Sequence, residues 1–380
     1  MTANAEFNKQ IARERLGGLL LIAAAVLALI LANSPFAGAY EAVIHVEIIK
    51  EISIFVFFFS VGIELRHEIR HGSLRNPRTA IVPVFAAMGG MLLPVIIYSL
   101  FNSGTPTEAG WGIPMSTDIA FALAIFAIAG RGLSKATRTF VMTVAVADDS
   151  LTILMIAVFF TASFNVLSII SLAGVVAGLL IPGAGRLMPK LGPIVSYAAL
   201  PLFAFYSAGV NLSGLEFAAA IASPIAIGVV LGQLIGKPLG VLGTAWLVTK
   251  SRLGQLPSGL GWRDLLSVGW LFAMCFTVSM LMVELSFPAP HGVATFGEGS
   301  VDSRSVSIIS VFVATTIAGL VSALAMRGRA KAIKAVRSQT QNRALSTTHR
   351  QSRPPGASVL GRASGRRAWA SRAIRTTQSC

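Results

Sequence analysis

Apolar residues run along this chain in blocks of about twenty, without the period-two alternation of a half-buried strand. Ten such blocks stand out, at residues 16–33, 43–65, 80–101, 113–130, 139–160, 167–181, 193–210, 218–248, 265–287 and 305–326. At ~1.5 Å rise per residue, most are long enough as helices to cross a hydrocarbon layer of about 30 Å. The pattern predicts an all-α membrane protein of about ten transmembrane helices.

The connecting segments alternate in charge. Lys9, Arg13 and Arg15 precede the first block, Arg66, Arg70, Arg75 and Arg78 follow the second, and Arg131, Lys135 and Arg138 follow the fourth. Arg186 and Lys190 follow the sixth block, and Lys250, Arg252 and Arg263 follow the eighth. The opposite connections, 102–111, 211–217 and 288–302, are poor in Lys and Arg and carry Glu108, Glu216, Glu298 and Asp302. The positive-inside rule then places both termini in the cytoplasm, and an even number of spans agrees with their lying on one side.

Composition adds one correction. The net charge is +15, a value that suggests nucleic acid, yet its placement argues against that partner. Residues 327–380 hold 13 Lys or Arg and no acid; without them 18 basic residues face 16 acidic ones. The chain therefore divides into a nearly neutral transmembrane domain, residues 1–326, and a basic tail, residues 327–380. The tail's composition predicts a disordered cytoplasmic extension that attracts anionic membrane lipid. Cys275 and Cys380 form neither a disulfide framework nor a metal-ligand spacing. The first block is long for a signal peptide and reads as an uncleaved helix.

The candidate chemistry lies in the polar residues that interrupt the apolar blocks. Asp148 and Asp149 sit side by side in 139–160, with about ten apolar or small residues on each side. Intramembrane acids cost several kcal/mol and mark ion or proton pathways. Asp118 follows Pro114, Ser116 and Thr117, a stretch that weakens a helix; it reads as an acid at a helix break or as a plain N-cap with helix from Ile119. Lys237, ahead of Pro238, is too deep in its block to reach water easily and needs an acidic partner, Asp148 or Asp149. Phe276, Thr277 and Ser279 form a weaker signal for a second break, and Glu284 lies near the end of that block. Glu64 and Glu68, one turn apart on one helix face, suit an entry funnel or an interface.

In a low-dielectric interior a carboxylate resists ionisation, and a nearby ammonium restores it. Carboxylate oxygens suit a hard cation such as Na⁺, and a carboxylate that holds a proton loses that cation. One site contested by both, facing either side in turn, is a cation/proton antiporter, with Asp149 and Asp148 as its Na⁺ ligands. Neighbours on a helix point about 100° apart, so one acid can face the ion path and the other Lys237. No nucleotide loop is present, and no enzyme is predicted.

These residues together resemble the NhaA-type sodium/proton antiporter family. The resemblance is carried by Ser-Thr-Asp-Ile-Ala-Phe-Ala at 116–122, the Asp148–Asp149 pair, Pro-Leu-Phe-Ala-Phe at 201–205, the 234–240 stretch around Lys237, Phe-Thr-Val-Ser at 276–279 and Val-Gly-Ile-Glu at 61–64. It implies inverted-topology repeats with two discontinuous helices, one broken at Thr117–Asp118 and one at Phe276–Ser279. It also implies that Asp149 is the main ion and proton site, that Asp148 pairs with Lys237, that Asp118 offsets half-helix dipoles, and that Thr117 offers an ion ligand. Exchange of Na⁺ or Li⁺ for more than one proton at the inner membrane, without a cofactor, follows from the same likeness.

The chain departs from the family pattern in several places. Residues 160–181 are short, as if about two helices were missing, and the connection between the first two blocks leaves little room for the outer β-hairpin through which family members dimerise. A homodimer stays open. Met188, Pro189 and Gly192 occupy positions where pH-responsive residues are expected; His67 replaces an arginine, and Ala273 and Cys275 enter a glycine-rich stretch. Two alternatives follow: a degenerate homologue that binds or senses cation without transport, and a sodium-coupled organic-anion symporter.

Overall fold

The computed structural model describes residues 2–71, 77–156, 166–212, 217–287, 293–296 and 299–351. Helices dominate. In chain order they are α1 (Thr2–Ala32), α2 (Ala37–Ile44), α3 (Glu47–His71), α4 (Pro77–Asn102), α5 (Ile119–Ala129), α6 (Lys135–Met155) and α7 (Val166–Leu180). They continue with α8 (Met188–Ile194), α9 (Leu200–Ser207), α10 (Phe217–Ala222), α11 (Pro224–Leu231), α12 (Lys237–Lys250), α13 (Trp262–Val268), α14 (Thr277–Ser286) and α15 (Ser303–Gln351). Single π-helical turns, Val195–Ala199 and Gly232–Gly236, join α8 to α9 and α11 to α12. The all-helical expectation needs one amendment. Strands β1 (Val293–Phe296) and β2 (Gly299–Asp302) pair antiparallel between α14 and α15, from Val293 opposite Asp302 to Phe296 opposite Gly299. Between α1 and α3 the connection is helix α2.

Among the described residues, four continuous helical stretches are long and apolar enough to cross a bilayer: Ala80–Asn102, Met188–Ser207, Pro224–Lys250 and Ser303–Val336. A bent pair, Trp262–Ala273 with Thr277–Ser286, passes the same test across a 42° break. Leu16–Ala32 and Ile169–Leu180 are shorter apolar helices. Block 218–248 was expected as one helix, but it starts anew at Ser223. That hydroxyl accepts from Ala226 N at 3.3 Å, and Pro224 takes the first helical position, where its missing N–H costs nothing.

Close helix packing runs through small residues, as apolar solvent demands. On α3 against α7, a Cβ added at Gly178 would lie 2.9 Å from Ile63 N. On α4 against α12, one added at Gly240 would lie 2.7 Å from the Gly89 carbonyl carbon. Some hydroxyls inside helices bond their own backbone: Thr143 donates to Thr139 O at 3.0 Å and Ser150 to Val146 O at 2.6 Å.

The chain divides into two compact units, Met1–Ala330 and Lys331–Cys380. Helix α15 runs past the boundary expected at Met326 as far as Gln351. Its Ala-, Arg-, Lys- and Gln-rich sequence carries strong helix formers, which a reading based on apolar periodicity discounts. Residues 352–380 lie outside the described ones.

Candidate ion-binding centre

Two non-helical stretches meet inside the first unit. Residues 113–118 connect a short 3₁₀ turn, Glu108–Gly112, to α5, and residues 274–276 separate another, Gly269–Ala273, from α14. Broken backbone at such depth must find partners within the protein. Asp118 N donates to Met274 O at 2.8 Å, Thr117 Oγ1 to Phe272 O at 2.8 Å, and Ser279 Oγ to Ile113 O at 2.6 Å. Ser116 Oγ and Cys275 Sγ lie 2.7 Å apart, and Thr315 Oγ1 on α15 donates to Cys275 O at 2.5 Å. Phe276 fills the crossing between Phe121 and Phe312, with ring centroids 5.9 and 4.9 Å away.

Asp118 serves both breaks. Its Oδ1 accepts from Phe121 N at 3.4 Å, capping α5. Its Oδ2 accepts from Thr277 Oγ1 at 2.7 Å and Thr277 N at 3.3 Å, at the start of α14. Each helix N-terminus carries roughly half a positive charge, so one carboxylate answers two dipoles. Asp118 thus caps α5 and also bonds the first residue of α14.

Lys237 opens α12 directly after the π-helical turn and is fully buried. Its ammonium donates to Asp148 Oδ1 at 2.9 Å, to Asp148 Oδ2 at 2.7 Å, and to Met115 O in the 113–118 stretch. Three elements thus converge on one cation. Asp148 is the acid it engages.

Asp149 points elsewhere. It is 6 % exposed, and its Oδ1 accepts no hydrogen bond among the described residues. It lines a cavity of about 210 Å³ together with Asp118, Thr117, Thr277, Glu64 and Ser60. That volume holds several water molecules or a partly hydrated small cation. Glu68 lies on α3 one turn beyond Glu64, and its side chain is outside those described. Among the described residues no group of three His, Cys, Asp or Glu side chains is placed to hold a resident metal ion.

Three features escaped the sequence reading. The Met115 carbonyl is backbone and carries no sequence signal. Gln233, fully buried, donates to Ser279 Oγ at 3.3 Å, and its polarity in an apolar block was a visible signal. Glu284 joins Lys50 and Arg304 in one ionic cluster, with Arg304 Nη2 at 3.3 Å. Lys50 within an apolar block was the available cue.

A family model described as Na⁺/H⁺ antiporter 1 matches residues 8–183 and 170–326. The chain belongs to this family of antiporters. Among its relatives, Na(+)/H(+) antiporter NhaA of Thermobifida fusca is 36 % identical, with 81 % of this chain and 91 % of the relative aligned. The NhaA proteins of Frankia casuarinae and Aeromonas hydrophila are 35 % and 33 % identical, covering 83 % of this chain and 86 % and 93 % of their own lengths. The Thermobifida alignment spans 384 positions, more than this chain's whole length, while using four-fifths of it. The relative therefore has stretches with no counterpart here. Family membership makes the chain a multi-pass membrane protein of a transporter family.

Proposed function

We propose that this chain exchanges Na⁺ or Li⁺ for H⁺ across the inner membrane. Asp149 is the carboxylate that binds cation and proton in alternation. The observation that carries this reading is the division of labour within one residue pair. Lys237 neutralises Asp148, while Asp149 faces the cavity with an unpartnered oxygen. A hard cation finds carboxylate and hydroxyl oxygens from Asp149, Asp118, Thr117 and Thr277 around one space. A proton arriving at Asp149 removes the negative charge that holds the cation, and this competition couples the two fluxes.

In this reading about ten spans form inverted repeats, and the breaks at 113–118 and 274–276 are those of two discontinuous helices. Both termini are cytoplasmic. Residues 1–326 are the transport domain, residues 327–380 are a basic extension attracted to anionic lipid, and Glu64 and Glu68 line the approach to the cavity. The Lys237–Asp148 pair holds the first break in place, since Lys237 also binds Met115 O.

A symporter for an organic anion fits less well, because three carboxylates line a small cavity and repel a negative solute. A cation sensor without transport is separated by flux. Purified protein in liposomes, under an imposed pH gradient, receives Na⁺, Li⁺ or K⁺ while lumenal pH is followed by dye fluorescence. The reading predicts collapse of the gradient with Na⁺ or Li⁺ and not K⁺, and none in Asp148→Asn/Asp149→Asn. Folded wild-type protein that shows no collapse between about pH 6 and pH 9, around ordinary cytoplasmic conditions, would leave the sensor.

A further inference from the structure

A second pocket, of about 240 Å³, has the opposite chemistry. Arg66, His67 and Arg70 reach it from the last turns of α3, and Arg186 reaches it from the turn Ala184–Arg186 that follows α7. Glu64, earlier on α3, lines the acidic cavity instead. The arginines are not equivalent. Arg66 Nη1 donates to Leu179 O at 3.0 Å and Ile181 O at 2.7 Å, the free carbonyls at the end of α7, so its guanidinium is fixed in place. Arg70 and Arg186 are exposed, and among the described residues neither guanidinium has an ion-pair or hydrogen-bond partner.

The wall beside them is open. Gly183, with φ +78°, turns the chain, and a Cβ at Gly183 or Gly185 would meet nothing within 4 Å. Exposed apolar side chains flank the pocket in sequence: Leu180 is 71 % exposed and Leu187 47 %. Two unpaired guanidinia beside a fixed one suit a phosphate, which they grip in a planar fork. The exposed leucines offer a surface for acyl chains, which a free phosphate ion would not use.

We propose that this pocket binds the headgroup phosphate of an anionic phospholipid, with Arg70 and Arg186 as its principal contacts. A lipid there bridges α3 and α7, the pair held together through Gly62, Gly174 and Gly178. Basic pockets between helices at the cytoplasmic face are suited to such lipids.

The test uses the full chain purified in a neutral detergent and a readout independent of transport. Melting temperature and bound lipid, by native mass spectrometry, are measured with phosphatidylglycerol, phosphatidylcholine or inorganic phosphate. Phosphatidylglycerol is expected to raise the melting temperature and remain bound, while the other two do neither. Arg70→Gln/Arg186→Gln should melt like the wild type without lipid and bind phosphatidylglycerol about tenfold or more weakly. Arg186→Gln alone, on an exposed turn, should lose part of the shift. The proposal is overturned if phosphatidylcholine gives the same shift, if inorganic phosphate reproduces it, or if either variant keeps the full wild-type response.

Discussion

Asp149 and Glu284 are buried to nearly the same degree, 6 % and 4 % exposed, and their surroundings are opposite. Glu284, near the end of α14, is held by Lys50 from α3 and Arg304 from α15. It ties three helices together. Among the described residues Asp149 has no ion-pair partner and one oxygen without a hydrogen bond, and a cavity lies in front of it. Burial of a carboxylate alone therefore does not single out Asp149. What sets it apart is burial without an ion-pair partner among the described residues, beside a cavity, and this is the basis on which we propose it as the ion site. Asp148, one residue away, differs in the same respect, since Lys237 is bound to it.

The strongest way to break the contrast is Asp149→Asn. It should reduce exchange to the level of protein-free liposomes while leaving the melting temperature near wild type, because no protein hydrogen bond to Oδ1 is lost. In the wild type, half-saturation should move to higher Na⁺ as pH falls, because protons compete for the same carboxylate. A half-saturation constant unchanged with pH would count against a shared site.

Lys237→Ala comes next. Removing one member of a buried pair leaves Asp148 uncompensated and frees Met115 O, at a cost of about 3–5 kcal/mol. Thermal unfolding in detergent should show a large loss, partly recovered by Lys237→Ala/Asp148→Asn. Glu284→Gln should cost less, about 1–2 kcal/mol, since Lys50 and Arg304 are 17 % and 27 % exposed and keep contact with solvent. Its half-saturating Na⁺ should match the wild type, and a large shift there would erase the distinction drawn between the two carboxylates. The smallest effect is expected from removing residues 352–380, with exchange and melting unchanged within error.

The apolar blocks and the intramembrane charges were legible from sequence because both violate what water or lipid tolerates: long uncharged runs in one case, costly ions in the other. Pairing of Lys237 with one of two adjacent acids followed from electrostatics, but which acid required the fold. Nothing local distinguishes Asp148 from Asp149 until α12 is placed beside α6. The capping of two helices by Asp118 was half visible. Ser-Thr-Asp ahead of α5 announces the first cap, whereas Thr277 belongs to a helix more than 150 residues away. The break at Ser223 was missed because composition stayed apolar through it, although Ser-Pro is a sound start signal. The Lys50–Glu284–Arg304 cluster joins three distant segments, and pattern reading along the chain does not reach such contacts.

If Asp149 exchanges a proton for Na⁺, cation binding must release that proton. Purified protein in weakly buffered detergent solution receives NaCl, and the pH change is read with an indicator dye. Acidification on Na⁺ addition is expected in the wild type and in Glu284→Gln, and none in Asp149→Asn. Acidification that persists in folded Asp149→Asn would place the exchanged proton on another group and contradict the assignment.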